Sequence, residues 1–190
     1  SSGEEKKKDN MLKICGDGRK LALAPKLVGI DEASPKVRAV VENVYKVYRD
    51  HPEGTQLIFC DIGTPDDKGG YSVYQEVKEG LIDKGMLETE VAFIHDCGSS
   101  PVKREALIKK FNDGLVKVLL GSTAKMGEGV NLQKRVKALH HIDAPWRPSD
   151  VQQREGRILR HGNENEEVYI FRYLVKNSFD VFSWQSATRS

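Results

Sequence analysis

Short apolar runs alternate along the chain with longer segments in which apolar residues recur every three or four positions. Five runs have the length of buried strands: 57–60, 91–94, 116–120, 136–142 and 168–171. The first longer segment, with Val37, Val40 and Val44 on one side, has the period of an amphipathic helix. Three further helices are predicted: 73–82, 102–113 and 149–160. Strands that alternate with helices predict an α/β fold with a mostly parallel sheet and helices on both faces.

The same pattern divides the chain into three parts. Residues 1–33 have no regular period and begin with charged and polar residues, so we expect a partly disordered N-terminal extension. Residues 34–175 hold the alternating elements, and Ser34 followed by Pro35 is typical of a helix start. Residues 176–190 are rich in aromatic side chains and are predicted to form a C-terminal helix or a packed tail.

Composition narrows the possible functions only slightly. The chain is 38% hydrophobic and 31% charged, as in ordinary globular proteins, and its net charge of +2 does not by itself indicate a nucleic-acid binder. Its three cysteines are far apart and form no metal-binding spacing, so we expect free thiols, no metal site and a cytoplasmic location. No apolar run is long enough to cross a bilayer, and none of the features of a signal peptide is seen, so no membrane partner is expected. Because the sequence starts without methionine, we expect it to be a piece of a longer protein.

In a parallel sheet the ligand site lies at the carboxyl ends of the strands. After the third predicted strand, Ser122 and Thr123 precede a Gly127-Glu128-Gly129 loop. Backbone amides in such a loop can point at phosphates, and the two hydroxyls can do the same. A tight turn with no ligand is the alternative interpretation of this loop.

Three arginines, Arg154, Arg157 and Arg160, recur with a spacing of three in the last predicted helix. This spacing places like charges on one side of a helix, where they repel each other. A bound polyanion would explain them, because guanidinium groups bind phosphate oxygens in a bidentate manner. A solvated basic helix face is the alternative.

Three further polar residues lie at the end of the fourth predicted strand. His140 and His141 end the strand, and we expect one of them to point into the core. Asp143 follows the strand. It is predicted to hold an arginine or to line the adenine side of a cleft, with a role at the start of a helix as the alternative.

The arginine segment resembles the sixth conserved motif of superfamily 2 helicases, and of Swi/Snf-type DNA translocases in particular. These translocases have Trp-Asn-Pro, then Gln, then Arg-x-x-Arg-x-Gly-Gln. Here Trp146 starts the match, Arg147 replaces the Asn and Asn163 replaces the final Gln. The residues of this segment are most similar to those in helicase modules of large phage and plasmid proteins that also carry an adenine-DNA-methylase-like part.

Other segments extend the resemblance over residues 34–175. Residues 121–133 resemble motif five, and 55–60 lie where motif four is expected. Residues 95–100, followed by Lys103-Arg104, resemble the motif four-a region. The resemblance implies a RecA-like three-layer sandwich that forms the second lobe of a two-lobed motor.

In that family ATP and Mg²⁺ lie between two RecA-like lobes and are bound mainly by the first lobe, through Walker A and Asp-Glu motifs. The present chain contains no Gly-x-x-x-x-Gly-Lys-Ser/Thr sequence. We therefore expect its partners to be double-stranded DNA and a first lobe of the same parent protein, and we expect no ATPase activity from the chain alone.

The resemblance also implies the site residues. The predicted catalytic arginine fingers are Arg157 and Arg160. The predicted nucleotide-binding residues are Gly127, Glu128, Gly129, Asn131, Gln153 and Arg154. The predicted DNA-binding residues are Ser99, Ser122, Thr123 and Lys125.

Two other functions are compatible with the sequence. A RecA-like domain without a catalytic partner would serve as a DNA- or protein-binding module. An unrelated phosphate-binding α/β enzyme would need its own nucleophile or acid–base pair, and the sequence offers no convincing candidate.

Overall fold

The computed structural model of the chain describes residues 35–62, 64–65, 72–126, 131–143, 148–156, 162–173 and 183–188. Its helices are α1 (Pro35–Asp50), α2 (Val73–Lys84), α3 (Pro101–Asn112), α4 (Thr123–Met126) and α5 (Pro148–Glu155). Its strands are β1 (Thr55–Phe59), β2 (Val91–Phe93), β3 (Val118–Gly121), β4 (Val136–His141), β5 (Glu167–Arg172) and β6 (Ser183–Thr188). Two short 3-10 turns flank β2, at Glu88–Glu90 and Ile94–Cys97.

The six strands form one sheet in the order β2-β3-β1-β4-β5-β6. The first five are parallel, and β6 pairs antiparallel with β5. Strand β1 is central, with Leu57 in register with Leu119 of β3 and Leu139 of β4. The sequence prediction of a mostly parallel sheet is confirmed, and each of the five predicted strands is present within two residues of its expected bounds.

Alternate residues of the buried strands point to opposite faces of the sheet. On one face Ile58 and its neighbours pack against the valines of α1 and the apolar side of α2. On the other face Leu57 and Phe59 pack with Phe111 of α3. Two helical layers thus enclose the sheet, which is the three-layer α/β architecture that the resemblance implied.

Local capping explains where two helices begin and end. Ser72 Oγ accepts a hydrogen bond from Tyr74 N at 3.1 Å, and Ser100 Oγ accepts one from Lys103 N at 3.3 Å. Both serines satisfy amides that the first helical turn leaves unpaired. Helix α2 ends at Gly85, whose φ of 126° is rarely adopted by residues with a side chain.

The C-terminal segment differs from one of its two predicted alternatives. Residues 183–188, within the part predicted as a helix or packed tail, form strand β6 rather than a helix. Strand β5 would otherwise expose an unpaired edge, and β6 supplies its hydrogen-bonding partner. The N-terminal extension and Cys15 lie outside the described residues, while Cys60 and Cys97 are free and buried, as expected.

A chain of buried hydrogen bonds fixes α1 to the sheet. Asn43 Nδ2 donates to Tyr173 Oη at 3.2 Å, which pairs with His140 Nδ1 at 2.9 Å. His140 Nε2 then pairs with Gln56 Oε1 at 2.8 Å, and Gln56 Nε2 donates to the Val44 carbonyl oxygen at 2.8 Å. Because the amide oxygen of Gln56 only accepts, the proton of the imidazole is on Nε2. The expected inward orientation of one of the two histidines is confirmed, and His141 is buried as well.

Acid is expected to destabilise the fold through His140. Burial lowers the pKa of its imidazole to about 3, so the native state keeps it neutral while the unfolded chain protonates it near pH 6.5. The stability that neutral His140 gives the native state is complete above its unfolded pKa. As the pH falls from 6.5 towards 3, the free energy of unfolding decreases by up to about 1.4 kcal/mol per pH unit. Urea unfolding of the chain across this range measures the effect. His140→Phe, which cannot titrate, should show a shallower pH dependence, and an unchanged slope would contradict the assignment.

Candidate functional site

Three strands of the sheet end beside one another and deliver polar residues to the same edge. Asp61 follows β1, Thr123 follows β3 and Asp143 follows β4. At the end of β3, Gly121 lets α4 pack back closely, since a Cβ there would lie 2.6 Å from Met126 Cγ. These side chains meet a fourth residue, Arg154, which reaches them from helix α5.

Arg154 is completely buried, and its guanidinium forms five contacts with protein groups. Its Nε donates to Thr123 Oγ1 at 2.8 Å, and Nη1 donates to the Asp143 carbonyl oxygen at 3.0 Å. Nη2 donates to Asp61 Oδ2 at 2.7 Å and to Asp143 Oδ1 at 3.0 Å. A fifth contact joins Nη1 to His141 Nδ1 at 3.3 Å. A guanidinium has five N–H groups, so each of them has an acceptor here. We call Asp61, Thr123, His141, Asp143 and Arg154 the arginine cluster.

Charge and packing both favour this position of the arginine. Two carboxylates face the one guanidinium, and the Asp143 side chain is 1% exposed whereas that of Asp61 is 39% exposed. The guanidinium carbon also lies 5.3 Å from the centre of the Phe59 ring, which is within range of a cation–π contact. The cluster therefore fixes α5 against the carboxyl ends of β1, β3 and β4.

One of the three roles predicted for Asp143 is confirmed, because its carboxylate holds an arginine. Its Oδ1 accepts from Arg154, while Oδ2 accepts from Asp61 N at 2.7 Å and Ile62 N at 3.2 Å. The same carboxylate thus orders the start of the loop after β1 as well as helix α5.

The second histidine of β4 links the cluster to a further ion pair. Arg154 can only donate, so His141 Nδ1 accepts and the ring proton is on Nε2. Nε2 donates to Glu155 Oε1 at 3.2 Å, and Arg172 Nη2 donates to the same oxygen at 2.6 Å. Burial, together with the Arg154 charge, lowers the pKa of His141. Partial burial alone would raise the pKa of Glu155, but the hydrogen bonds from His141 and Arg172 outweigh it and lower that pKa.

The predicted DNA-binding residues lie on neighbouring turns at this edge. Ser99 and Lys125 are exposed, whereas Thr123 is buried within the arginine cluster. Ser122 Oγ accepts from Lys125 N at 3.2 Å, which orders the first turn of α4. Arg104 of α3 donates through Nη2 to the Lys125 carbonyl oxygen at 2.7 Å, so α3 and α4 are fixed to each other.

The predicted nucleotide-binding residues are only partly described. Gln153 is exposed on α5, beside the buried Arg154. Asn131 is also exposed, and its carbonyl oxygen accepts from Asn112 Nδ2 at 2.7 Å. The predicted residues that lie outside the described part of the chain are Gly127, Glu128, Gly129, Arg157 and Arg160.

One interpretation changes for Arg154. It does not lie on a solvated basic face, and its five donors are engaged by the protein. Its predicted contact with nucleotide stays a prediction, and the contacts support a role in positioning α5. Asp61 was not among the predicted site residues, although it directly follows a predicted buried strand, at the edge of the sheet where a ligand was expected.

Two classes of feature are absent from the described ranges. No cluster of three or more His, Cys, Asp or Glu side chains there is arranged to bind a metal ion. None of the helices described is long and apolar enough to span a membrane.

Comparison with protein families gives a match to the helicase conserved C-terminal domain over residues 36–162. The chain is also similar to DNA repair protein rad5 of Neurospora crassa, with 25% identity over 156 residues, which are 81% of this chain and 12% of that protein. An uncharacterized ATP-dependent helicase of Mycoplasma pneumoniae is 27% identical over 179 residues, 93% of this chain and 16% of that protein. The defense against restriction protein B of Escherichia phage P1 is 29% identical over 85 residues, 45% of this chain and 4% of that protein. The chain thus spans less than a fifth of the length of each of these relatives.

Solved structures show the same fold. The C-terminal part of the Fun30 ATPase domain superposes with a TM-score of 0.54 at 23% identity, covering 72% of this chain and 40% of that one. Phage T4 UvsW gives a TM-score of 0.55 at 11% identity, covering 83% of this chain and 28% of that one. Because the family match covers well over half of the 190 residues, the chain belongs to the helicase conserved C-terminal domain family, and its sheet and helices have the RecA-like α/β fold of such domains.

Proposed function

We propose that the chain is the second motor lobe of an ATP-dependent translocase of the Swi/Snf type that acts on double-stranded DNA. The observation that carries the proposal is that the arginine cluster fixes α5 at the carboxyl ends of β1, β3 and β4, beside exposed Lys125. Helix α5 carries Gln153 and leads into the segment with Arg157 and Arg160. The element that we assign to the nucleotide and the element that we assign to DNA thus lie on one edge of the sheet.

The names of the relatives support this assignment. One is a DNA repair protein and another an ATP-dependent helicase, although this chain corresponds to a small part of each. The larger size of these relatives also supports a parent protein in which another segment forms the first lobe. ATP with Mg²⁺ bound to that first lobe would supply the phosphoanhydride bond whose hydrolysis would drive movement.

On the side of this lobe, the residues that we assign to the nucleotide are exposed Gln153 and Asn131, together with the loop at 127–129 and the two arginine fingers. The amide side chain of Gln153 can donate and accept hydrogen bonds, as contact with a phosphate or an attacking water requires. We assign to Arg154 the task of holding the helix that carries Gln153.

For DNA we assign the backbone contacts to Ser99, Ser122 and Lys125. A serine hydroxyl that accepts one hydrogen bond, as Ser122 does, still has a proton to donate to a phosphate oxygen. The exposed ammonium of Lys125 supplies charge without sequence preference. Thr123 is excluded from this set because its backbone N–H and its hydroxyl both donate to Asp61.

In the parent protein, duplex DNA is expected to stimulate ATP hydrolysis, and Lys125→Ala is expected to weaken the response. Loss of one phosphate contact should raise the DNA concentration for half-maximal stimulation about threefold, and should lower the salt dependence of binding by about one counterion. Steady-state ATPase assays at several salt concentrations measure both quantities. Lys110→Ala is the matched control, because Lys110 is exposed at the opposite end of the neighbouring helix α3. If duplex DNA does not stimulate ATP hydrolysis by the parent protein, the proposed motor function is contradicted and a binding module is favoured.

A further inference from the structure

The Asp61 carboxylate joins the predicted DNA-facing turn to the helix that leads to the arginine fingers. Its Oδ1 accepts from Thr123 N at 2.7 Å, and its Oδ2 accepts from Thr123 Oγ1 at 3.0 Å. The same Oδ2 accepts from Arg154 Nη2 at 2.7 Å. The Thr123 hydroxyl closes the triangle, since it also accepts from Arg154 Nε at 2.8 Å.

This triangle leaves little freedom between α4 and α5. Thr123 is the first residue of α4, directly after Ser122 and two residues before Lys125, so a shift of the DNA-facing turn moves its N–H and hydroxyl. Arg154 is next to Gln153 on α5. With donors and acceptors all matched, displacement of one member breaks charge-assisted bonds to the others unless they move together.

We propose that Asp61 is a positioning residue that transmits DNA-backbone contact at α4 to the nucleotide-facing helix α5. The proposal rests on the motor function proposed above and adds a residue that couples its two sites. Asp143 binds the same guanidinium, but it does so from the end of β4 and uses its other oxygen for the loop amides of Asp61 and Ile62. Its removal therefore loosens α5. Removal of the Asp61 carboxylate instead breaks its bonds to Thr123 of α4 and to Arg154 of α5, and leaves the direct bond from Arg154 Nε to Thr123 Oγ1 without that support.

The test compares Asp61→Asn and Asp143→Asn in the full parent protein. The measured quantity is the ratio of the ATPase kcat with saturating duplex DNA to the kcat without DNA. In Asp61→Asn the amide N–H₂ group faces the donors of Arg154 or Thr123 and cannot accept from them. We expect the ratio to fall at least about fivefold, which is the lower end of the range for coupling between two sites. The Kd for duplex DNA without nucleotide should stay within about twofold of wild type, since no DNA-binding group is removed. Asp143→Asn also weakens the binding of Arg154. It should lower the melting temperature at least as much as Asp61→Asn does, but its ratio of DNA-stimulated to basal kcat should stay closer to wild type.

A second pair of variants tests the same coupling without changing Asp61, in case Asp61→Asn folds poorly. Thr123→Val removes the hydroxyl that Asp61 and Arg154 share, and should lower the ratio, whereas Thr123→Ser should restore it. A wild-type ratio in Asp61→Asn or in Thr123→Val overturns the coupling role. The coupling role is also overturned if Asp61→Asn and Asp143→Asn lower the kcat ratio equally and lose the same melting temperature, because Asp61 would then act only through stability. A wild-type parent without DNA stimulation would instead contradict the motor function itself.

Discussion

Replacing Arg154 with methionine is expected to lower the free energy of unfolding by about 3 to 5 kcal/mol, the range for removing one partner of a buried ion pair. Asp143, whose side chain is 1% exposed, would lose the guanidinium that balances its buried charge. The acceptors Thr123 Oγ1 and Asp61 Oδ2 would each lose a charge-assisted hydrogen bond. Since whole domains are stable by only about 5 to 15 kcal/mol, a loss of this size removes a large part of the total. Urea unfolding of the chain at neutral pH measures it.

Two further variants separate the charge effect from a general effect on α5. Gln152→Met places the same side chain at an exposed position of that helix and should change stability by less than about 0.5 kcal/mol. Arg154→Met combined with Asp143→Asn should be less destabilised than the sum of the two single changes, because the buried negative charge that loses its guanidinium in Arg154→Met is then gone. If Arg154→Met unfolds at the same urea concentration as Gln152→Met, the cluster does not hold the helix.

The layers of the fold were predictable from the sequence because local patterns decide them. Strands β1 and β3 contain the continuous apolar runs 57–59 and 118–120, and the helix predicted over 102–113 begins one residue after the start of α3. The order of strands in the sheet was not predictable in this way. It depends on which strands pair across long stretches of chain, as β1 does with β4. Strand β6 was missed for the same reason, since its pairing with β5 depends on an edge that no local pattern reveals.

The candidate site was predictable in its location but not in its internal contacts. The strand-end rule pointed to the loops that supply Asp61, Thr123 and Asp143. From their spacing of three, Arg154 was predicted to have the same kind of role as Arg157 and Arg160. In the structure Arg154 is buried, and its five N–H groups are bound by protein acceptors. Its ion-pair partner Asp61 is 93 residues away in the sequence. A helical period reports which residues share a side of one helix, and it carries no information on what the rest of the chain places against that side.

Arg157→Ala in the full parent protein is expected to lower the ATPase kcat about a thousandfold, the lower range for removal of an arginine finger. The physical reason is that negative charge develops on the transferred phosphoryl group, and a guanidinium aimed at it acts in the transition state more than in the bound ground state. The Kd for ATP should therefore change much less than kcat. Stopped-flow binding of a fluorescent ATP analogue, with steady-state hydrolysis on the same preparation, separates the two quantities.

Two controls give this prediction its discriminating power. Arg38→Ala removes an equally charged but exposed side chain from α1 and should keep the wild-type kcat. Arg157→Lys keeps a positive charge but loses the planar fork that binds two phosphate oxygens, so it should recover only part of the rate. A module that merely docks on DNA or protein would not hydrolyse ATP through this residue. If the parent hydrolyses ATP and Arg157→Ala does so at the wild-type rate, the arginine faces no reacting phosphate, and the binding module becomes the better description of this lobe.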